Sequence, residues 1–122
     1  MFRMNKSAIQ DQDLLATTGK EMELTGHPAW HGSLTGVSSE ALLKGLAPYT
    51  YLLRTGEEKG HFYISFVKED LSIKHQPFVL RFSLNGWHYQ NTVGAYRPTN
   101  VADLIPLMMH CEIAVMKPLS RL

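Results

Sequence analysis

The sequence lacks several features that mark specialised classes of protein. One cysteine, Cys111, stands among 122 residues, so an internal disulfide framework is impossible and a reducing compartment is expected. No apolar run reaches the roughly 18 residues of a spanning helix, and the N-terminus has no apolar stretch typical of a signal peptide. The net charge of +1 provides no general nucleic-acid or membrane surface, so any anion site must be local. We therefore expect a cytoplasmic monomer with no membrane span and no nucleic-acid partner.

The composition is that of an ordinary globular chain. Apolar residues make up 44% and charged residues 19%, which allows one domain with a sizeable core. Residues 1–26 are interpreted as an N-terminal extension, in which Ser7 would cap a short helix through Ala16 and Gly19 would stop it. Residues 27–122 are interpreted as the domain itself.

Two helices are predicted. In "GVSSEALLKG", Ser38 or Ser39 would cap a helix that Gly45 ends, with Leu42 and Leu43 facing the core. In "RPTNVADLIPLMMHC", Thr99 would cap a helix that Pro106 kinks or shortens. Its apolar residues fall at helical spacing: Val101, Leu104, Ile105 and Met108.

Between the helices the pattern predicts strands. The first, Tyr49 to Thr55, is apolar on both faces, as expected for a central strand that is covered on both sides. Three more would follow, namely 61–67, 71–83 with Pro77 at an edge or bulge, and 87–90 after a tight turn at Asn85-Gly86. The stretch "EIAVMKPL" would form a last short strand. The order predicts an α+β fold in which one central antiparallel β-sheet carries one α-helix on each face.

Arg54 is the unusual residue of this pattern. It follows Tyr51, Leu52 and Leu53 without a break, at the end of the most apolar strand. A guanidinium cannot be deprotonated, and burying it without a partner is very costly. Arg54 therefore requires a partner, either inside the protein or on a ligand.

An ordered series of motifs resembles the Src-homology-2 domain. The series comprises "WHG-L" at residues 30–34, the "SSEALL" helix, "YLLR", "KGHFYISF", "IKH", "NGWHY" and "TNVADLIPLM". The corresponding family motifs occur in the same order at nearly the same spacing, over about residues 30–119. The resemblance implies non-catalytic recognition of phosphotyrosine in peptides or proteins.

The resemblance also implies a site. Arg54 would lie on the pocket floor and bind the phosphate, and Thr55, Gly56, Glu57 and Glu58 would form the phosphate loop. Their backbone N–H groups would add to the grip, as in other anion-binding turns. Leu52 and Arg54 would point to the same face, toward the first helix. Residues 93–98, "VGAYRP", would lie near the place where family members read residues after the phosphotyrosine.

This sequence departs from the family pattern in several places. Gly36 stands where the family usually has a second arginine, and Gly56 stands where it often has a serine, so Thr55 would supply the hydroxyl. The loop is one residue shorter, and inward-pointing glutamates would repel phosphate. Counting from "IKH" makes His75 the residue beside the phosphotyrosine ring, whereas counting back from "NGWHY" leaves a glutamine. Lys74, His75 and Arg81 are all candidates.

Two alternatives remain open. The run from His110-Cys111 to Lys117 resembles the phosphate loop of cysteine phosphatases, with Cys111 as nucleophile, but its interior lacks glycine and Glu112 would raise the cysteine pKa. Alternatively, the chain is a structural interaction module whose Arg54 has an internal partner. No spacing of histidines or cysteines indicates a metal site, and no cofactor is expected.

The sequence is therefore interpreted as a stand-alone phosphotyrosine-binding module, not an enzyme. It would act as an adaptor or a competitor for tyrosine-phosphorylated proteins. If the chain were a secreted bacterial effector, its place of action would be the host cytoplasm.

Overall fold

The computed structural model describes residues 19–81, 86–89 and 100–121. Residues 19–25 are helical (α1), and eight further elements follow: α2 Gly36–Leu43, β1 Thr50–Thr55, β2 His61–Val67, β3 Ile73–Arg81, β4 Gly86–Tyr89, α3 Val101–Met109, a 3₁₀ turn at Ile113–Val115 and β5 Lys117–Pro118. The sheet has the order β4-β3-β2-β1-β5, in which β1 to β4 are antiparallel and β5 is parallel to β1. The predicted α+β class is confirmed. The final strand is shorter than "EIAVMKPL" suggested, because residues 113–115 form the 3₁₀ turn.

Strand β1 is buried from both sides. Leu52 packs in a cluster with Leu43 of helix α2, whereas Leu53 packs in the larger cluster that contains Val101 of α3. All three of these leucines are 0% exposed. The prediction that both faces of β1 are covered is confirmed, and this is why the strand shows no alternation of apolar and polar residues.

Helix α2 begins earlier than predicted. Its N-cap is Thr35, whose side chain accepts a hydrogen bond from the Ser38 amide, so the prediction of Ser38 or Ser39 as cap is wrong. Ser39 lies inside the helix, and its hydroxyl donates to the Thr35 carbonyl at 2.7 Å. The C-terminal prediction is confirmed, because Gly45 follows the helix with φ 81°. The early start places Gly36 at the first helical position.

The buried face of α2 is narrower than predicted. Leu43 is fully buried, but Leu42 is 45% exposed, so only Leu43 faces the core. The two residues are adjacent on a helix and lie about 100° apart around its axis, because an α-helix has 3.6 residues per turn.

The predicted tight turn at Asn85-Gly86 lies partly outside the described residues, which do not include Asn85. Gly86 is paired with Arg81 and belongs to β4, so its predicted place in the turn is wrong. Pro77 of β3 is opposite Tyr63 of β2. On the other side the described pairing with β4 covers Phe78 to Arg81, and the residue after Tyr89 lies outside the described residues, so the edge position of Pro77 stays a prediction.

Helix α3 is fixed by caps from two elements. Asn100 is the N-cap and accepts from the Asp103 amide at 2.8 Å, and the Val101 amide donates to the Glu23 carboxylate. The predicted cap, Thr99, lies outside the described residues, as does segment 93–98. The helix continues through Pro106 without ending there. Its predicted apolar face is buried as expected: Val101, Leu104, Ile105 and Met108.

The N-terminal segment packs onto the domain. Leu24 is 0% exposed and lies in the core cluster with Leu53 and Val101. The predicted helix from Ser7 to Ala16 lies outside the described residues, but Gly19 is helical and does not act as a stop. The predicted boundary after residue 26 therefore does not coincide with an edge of the core. Among the described residues, no helix has the length and apolar character needed to cross a membrane.

Candidate anion-binding site

Arg54 lies at the end of strand β1, on the face that helix α2 covers. Its residue is only 7% exposed, and its partner in the neighbouring strand β2 is Tyr63. Side chains two apart in a strand share a face, so Ser65 lies beside Arg54 as well. Ser65 is in turn opposite His75 of β3. Strand register therefore gathers three polar side chains around one buried guanidinium.

The Arg54 guanidinium is held on one edge and one face. Its Nε donates to the Ser65 hydroxyl at 3.1 Å, and its Nη2 lies 3.3 Å from Nδ1 of His75. The Tyr63 ring covers one face, with its centroid 4.4 Å from the central guanidinium carbon. Nε and Nη2 share one edge of the planar group. The edge formed by Nη1 and the second Nη2 hydrogen therefore keeps two parallel donors for a ligand.

No carboxylate in the described part of the chain lies within 4.0 Å of this guanidinium. Burial lowers the pKa of Arg54 from its usual value, and Tyr63 opposes that shift. An arginine nevertheless keeps its proton in proteins, so the site carries a buried positive charge whose direct partners are a hydroxyl and an imidazole. Such a charge is costly to bury unless an anion completes it.

His75 links Arg54 to helix α2. Its Nδ1 lies 2.7 Å from the Ser65 hydroxyl oxygen, and its Nε2 lies 2.9 Å from a carboxylate oxygen of Glu40. Glu40 is thereby connected to the guanidinium only through the imidazole ring. The result is a chain of hydrogen bonds that joins β1, β2, β3 and α2.

An open cavity lies beside Arg54. Its volume is about 450 Å³, which falls in the size range of small-molecule and side-chain pockets. The approach to α2, the end of β1 with its loop, and the two neighbouring strands supply the lining: Ser33, Leu34, Thr35, Gly36, Arg54, Thr55, Gly56, Glu57, Tyr63 and His75. The structure thus brings together predicted residues from three separate motifs.

The start of the predicted phosphate loop is tied to the fold. The Thr55 amide donates to Gly32, and the Gly56 amide donates to the His61 carbonyl at 2.7 Å. The Thr55 hydroxyl donates to the Gly56 carbonyl at 3.3 Å. The Gly56 amide, predicted as a phosphate donor, is therefore already used inside the protein.

Steric crowding, and not a positive φ, explains why residue 56 is a glycine. Its φ is not in the left-handed region. Instead, a Cβ at this position would lie 2.8 Å from the His61 carbonyl oxygen and 3.0 Å from its carbon. Close approach of two backbones explains the glycine.

Glu57 and Glu58 take different positions. Glu58 pairs with His61 at 3.4 Å and lies outside the lining of the Arg54 cavity, whereas exposed Glu57 stands at its rim. Neither amide donates a hydrogen bond within the described part of the chain, so both are available to a ligand at the rim. That these residues bind phosphate stays a prediction.

Gly36 lines the cavity, where the resemblance places an arginine in other family members. A Cβ added at Gly36 would lie 3.5 Å from Nη2 of Arg54, which is ordinary contact distance. A side chain at residue 36 would therefore begin directly beside the Arg54 guanidinium.

The pairing of β3 shows which of its residues lies beside Arg54. His75 faces the Arg54 cavity, and Gln76 is opposite Ile64 and faces away from that cavity. Lys74 also faces away, because it pairs with Phe66 and lines a different depression beside Met109. Alternation along the strand separates Lys74 from His75, and of these two only His75 lies with Arg54. The side chain of Arg81, the third candidate, lies outside the described part of the chain.

Three residues of the site were not identified from the sequence. Tyr63 and Ser65 could have been found from the pairing of β2 with β1, since residues 63 and 65 share the face of Arg54. Glu40 gives no signal of its own, because an exposed helical glutamate is usually a solvated charge. Only the fold shows that it contacts His75.

Comparisons with known proteins support the architecture. No family model matches the sequence, and no curated protein is similar enough to match. Among solved structures, the chain is similar to the solution NMR structure of the SH2 domain of a CRK/CRKL homologue from Monosiga brevicollis. The TM-score is 0.60 at 20% sequence identity, over 78% of this chain and 88% of the other. The polypeptide therefore has the Src-homology-2 fold.

Proposed function

We propose that this protein binds phosphotyrosine in peptides or proteins and that Arg54 holds the phosphate. The observation that carries the proposal is the buried Arg54 charge, which has no carboxylate partner among the described residues and a free pair of donors at an open cavity. A phosphotyrosine dianion brings a charge of about −1.5 to −2 and three acceptor oxygens. Two of these oxygens match the parallel donors of the guanidinium edge.

The cavity suits an aromatic phosphate ester. Its floor is Arg54, and its walls include Tyr63, His75 and Leu34, which offer ring and aliphatic surfaces to a phenyl group. Serine and threonine phosphates have shorter side chains and would leave these walls uncovered. The fold similarity adds support for phosphotyrosine, because the similar solved structure is an SH2 domain.

The proposed role is binding without catalysis. The hydrogen-bond chain through Ser65, His75 and Glu40 has the connectivity of a hydrolytic triad, but Ser65 is 0% exposed and accepts a bond from Arg54. A buried hydroxyl in that position has no path to a substrate. This chain is better explained as support for the arginine.

The phosphatase alternative has little physical support. Burial raises the pKa of Cys111, so less thiolate is present at neutral pH. Residues 113–115 form a 3₁₀ turn, and the run enters β5 at Lys117, an exposed strand residue. A phosphatase loop instead wraps one anion with successive N–H groups.

The structural alternative, in which Arg54 is paired internally, is weakened by the chemistry of its partners. Ser65 and His75 accept hydrogen bonds from the guanidinium, but neither side chain carries a negative charge to compensate it. A structural arginine of this burial normally contacts a carboxylate directly. We therefore favour a ligand as the missing anion.

In cells, such a domain would act as an adaptor or as a competitor for tyrosine-phosphorylated partners. We propose that it meets these partners in the cytoplasm, or in the host cytoplasm if the protein is a secreted effector. We propose that it works as a monomer, since one site on one chain suffices.

The test is calorimetric titration with a degenerate phosphotyrosine peptide beside its unphosphorylated twin. Binding of the phosphorylated peptide alone supports the proposal. A third titration with the matching phosphoserine peptide tests the aromatic walls, and we expect it to bind far more weakly. Equal affinity for the phosphotyrosine peptide and its unphosphorylated twin would contradict the proposed function.

A further inference from the structure

In a neutral His75 ring, the contacts from Arg54 to Glu40 fit one tautomer best. Arg54 can only donate, and its Nη2 lies 3.3 Å from His75 Nδ1. Ser65 accepts from Arg54 Nε and directs its own hydrogen to Nδ1 at 2.7 Å, so the single Nδ1 lone pair takes this short bond and is approached by Nη2 at the longer distance. The ring proton of His75 is then on Nε2, where it donates to Glu40 at 2.9 Å.

We propose that Glu40 and His75 are positioning residues for Arg54, an inference that rests on the proposed phosphotyrosine site. Glu40 holds the Nε2 proton of His75 and so keeps the Nδ1 lone pair directed at Ser65 and Arg54. The opposite tautomer would place an Nδ1–H group against the N–H groups of the guanidinium. That arrangement would detach one edge of Arg54 and let the guanidinium rotate.

The assignment explains which edge of Arg54 faces the ligand. With Nε and one Nη2 hydrogen bound to Ser65 and His75, only the opposite end of the fork points into the cavity. A guanidinium that is already oriented loses less rotational freedom when the phosphate arrives. Under this proton assignment Glu40 makes no direct contact with the ligand and acts only through His75.

Glu40 has two opposing effects on an anion. Its hydrogen bond to His75 favours binding by orienting Arg54, whereas its negative charge beside His75 opposes a phosphate bound to Arg54. Two substitutions separate these effects. Glu40→Gln keeps an accepting oxygen and removes the charge, whereas Glu40→Ala removes both.

We expect Glu40→Ala to weaken phosphotyrosine-peptide binding about 2- to 10-fold, the usual effect of losing one hydrogen bond. Glu40→Gln should bind as tightly as the wild type or more tightly. The matched control is Leu42→Ala, which changes a 45% exposed side chain on the same helix and should leave affinity unchanged. Calorimetry with the same phosphotyrosine peptide measures all four proteins.

A second readout uses the full-length protein without ligand. Nitrogen-15 NMR of the His75 ring, assigned by comparison with His75→Gln, reports which ring nitrogen carries the proton. The wild type and Glu40→Gln should show protonated Nε2 and bare Nδ1, and Glu40→Ala should show a mixture. The resonance of the Arg54 Nε–H should also broaden in Glu40→Ala.

Each outcome bears on the inference. A wild-type ring protonated on Nδ1 would overturn it, as would unchanged affinity in Glu40→Ala, whatever the tautomer. Tighter binding by Glu40→Ala would show that only the charge of Glu40 matters. If the wild type binds no phosphotyrosine peptide, the proposed function fails, whereas the NMR measurement still decides whether Glu40 orients His75 and Arg54.

Discussion

Gly36 is the residue at which this site differs most from the family pattern. Its backbone is helical and not in the left-handed region, and an added Cβ would meet Arg54 Nη2 at an ordinary 3.5 Å. A side chain can therefore start there without strain. A second cation so close to Arg54 would face the same ligand.

We expect Gly36→Arg to strengthen phosphotyrosine-peptide binding by about 1.5–3 kcal/mol, the value of a hydrogen bond to a charged group. Two adjacent guanidinium groups repel each other, so the unliganded variant should also unfold at a lower urea concentration. Gly36→Ala is the control for the added Cβ alone and should bind like the wild type. If Gly36→Arg and Gly36→Ala have equal affinities, the phosphate lies out of reach of residue 36.

Gly56 should resist substitution for a steric reason. An alanine Cβ would lie 2.8 Å from the His61 carbonyl oxygen, so the ends of β1 and β2 would have to separate. We expect Gly56→Ala to lower the free energy of unfolding by about 1–3 kcal/mol and to weaken peptide binding. Urea unfolding beside Gly36→Ala, where no clash is expected, isolates the effect. Equal stability of the two alanine variants would show that the loop yields freely.

Single residues were predictable where one motif carried the information. Arg54 stood out because a charge followed an apolar strand, and His75 because "IKH" resembled a family motif. Ser65 and Glu40 were missed because their roles depend on contacts between distant segments, with 10 and 35 residues separating them from His75. No local pattern encodes such contacts.

Among the elements, strands were predicted more accurately than helix and turn boundaries. Strand β2 was predicted at its observed bounds because aromatic and β-branched residues fill it. The start of α2 was misplaced by three or four residues, since Thr35, Ser38 and Ser39 are all suitable caps and only tertiary packing chooses among them. Gly86 was predicted in a turn but lies in β4, because register places it opposite Arg81.

The turn between α1 and α2 should make stability depend on pH. His27 Nδ1 accepts from the Ala29 amide at 3.0 Å, and burial lowers the His27 pKa from its ordinary 6.5. The unfolded chain thus binds a proton more readily than the folded one. The stability contributed by neutral His27 is present above pH 6.5 and declines as pH falls from there toward the lowered folded pKa.

His27→Asn should reduce this dependence, because an amide oxygen can accept from Ala29 but does not titrate. We expect the free energy of unfolding to fall less in the variant than in the wild type between about pH 7.5 and 5.5. Urea titrations at both pH values measure the difference. The same pH slope in both proteins would mean that His27 is not responsible.

For the whole molecule, the packed unit extends beyond the predicted domain boundary. Leu24 is fully buried against the α3 side of the sheet, and Glu23 accepts from the first amide of that helix. This packing was not predicted, because the apolar residues of the N-terminal segment form only a weak helical stripe. Core membership depends on where the segment docks, which no local periodicity reports.

Leu24→Ala should therefore lower the free energy of unfolding by about 2–5 kcal/mol, as is usual for a buried leucine. Met22, which is 66% exposed in the same helix, provides the control, and Met22→Ala should have little effect. Thermal and urea unfolding report both. A small and similar effect of the two substitutions would place the segment outside the cooperative core.

The overall account depends on Arg54 serving the phosphate rather than the fold. The deciding measurement is a calorimetric cycle in which wild type and Arg54→Ala are each titrated with a phosphotyrosine peptide and its unphosphorylated twin. We predict that the substitution costs about 2–5 kcal/mol with the phosphorylated peptide, roughly 30- to several-thousand-fold in affinity, and almost nothing with its twin. Circular dichroism should show that Arg54→Ala remains folded. The account is contradicted if folded Arg54→Ala binds the phosphorylated peptide as tightly as the wild type does, or loses affinity equally for both peptides.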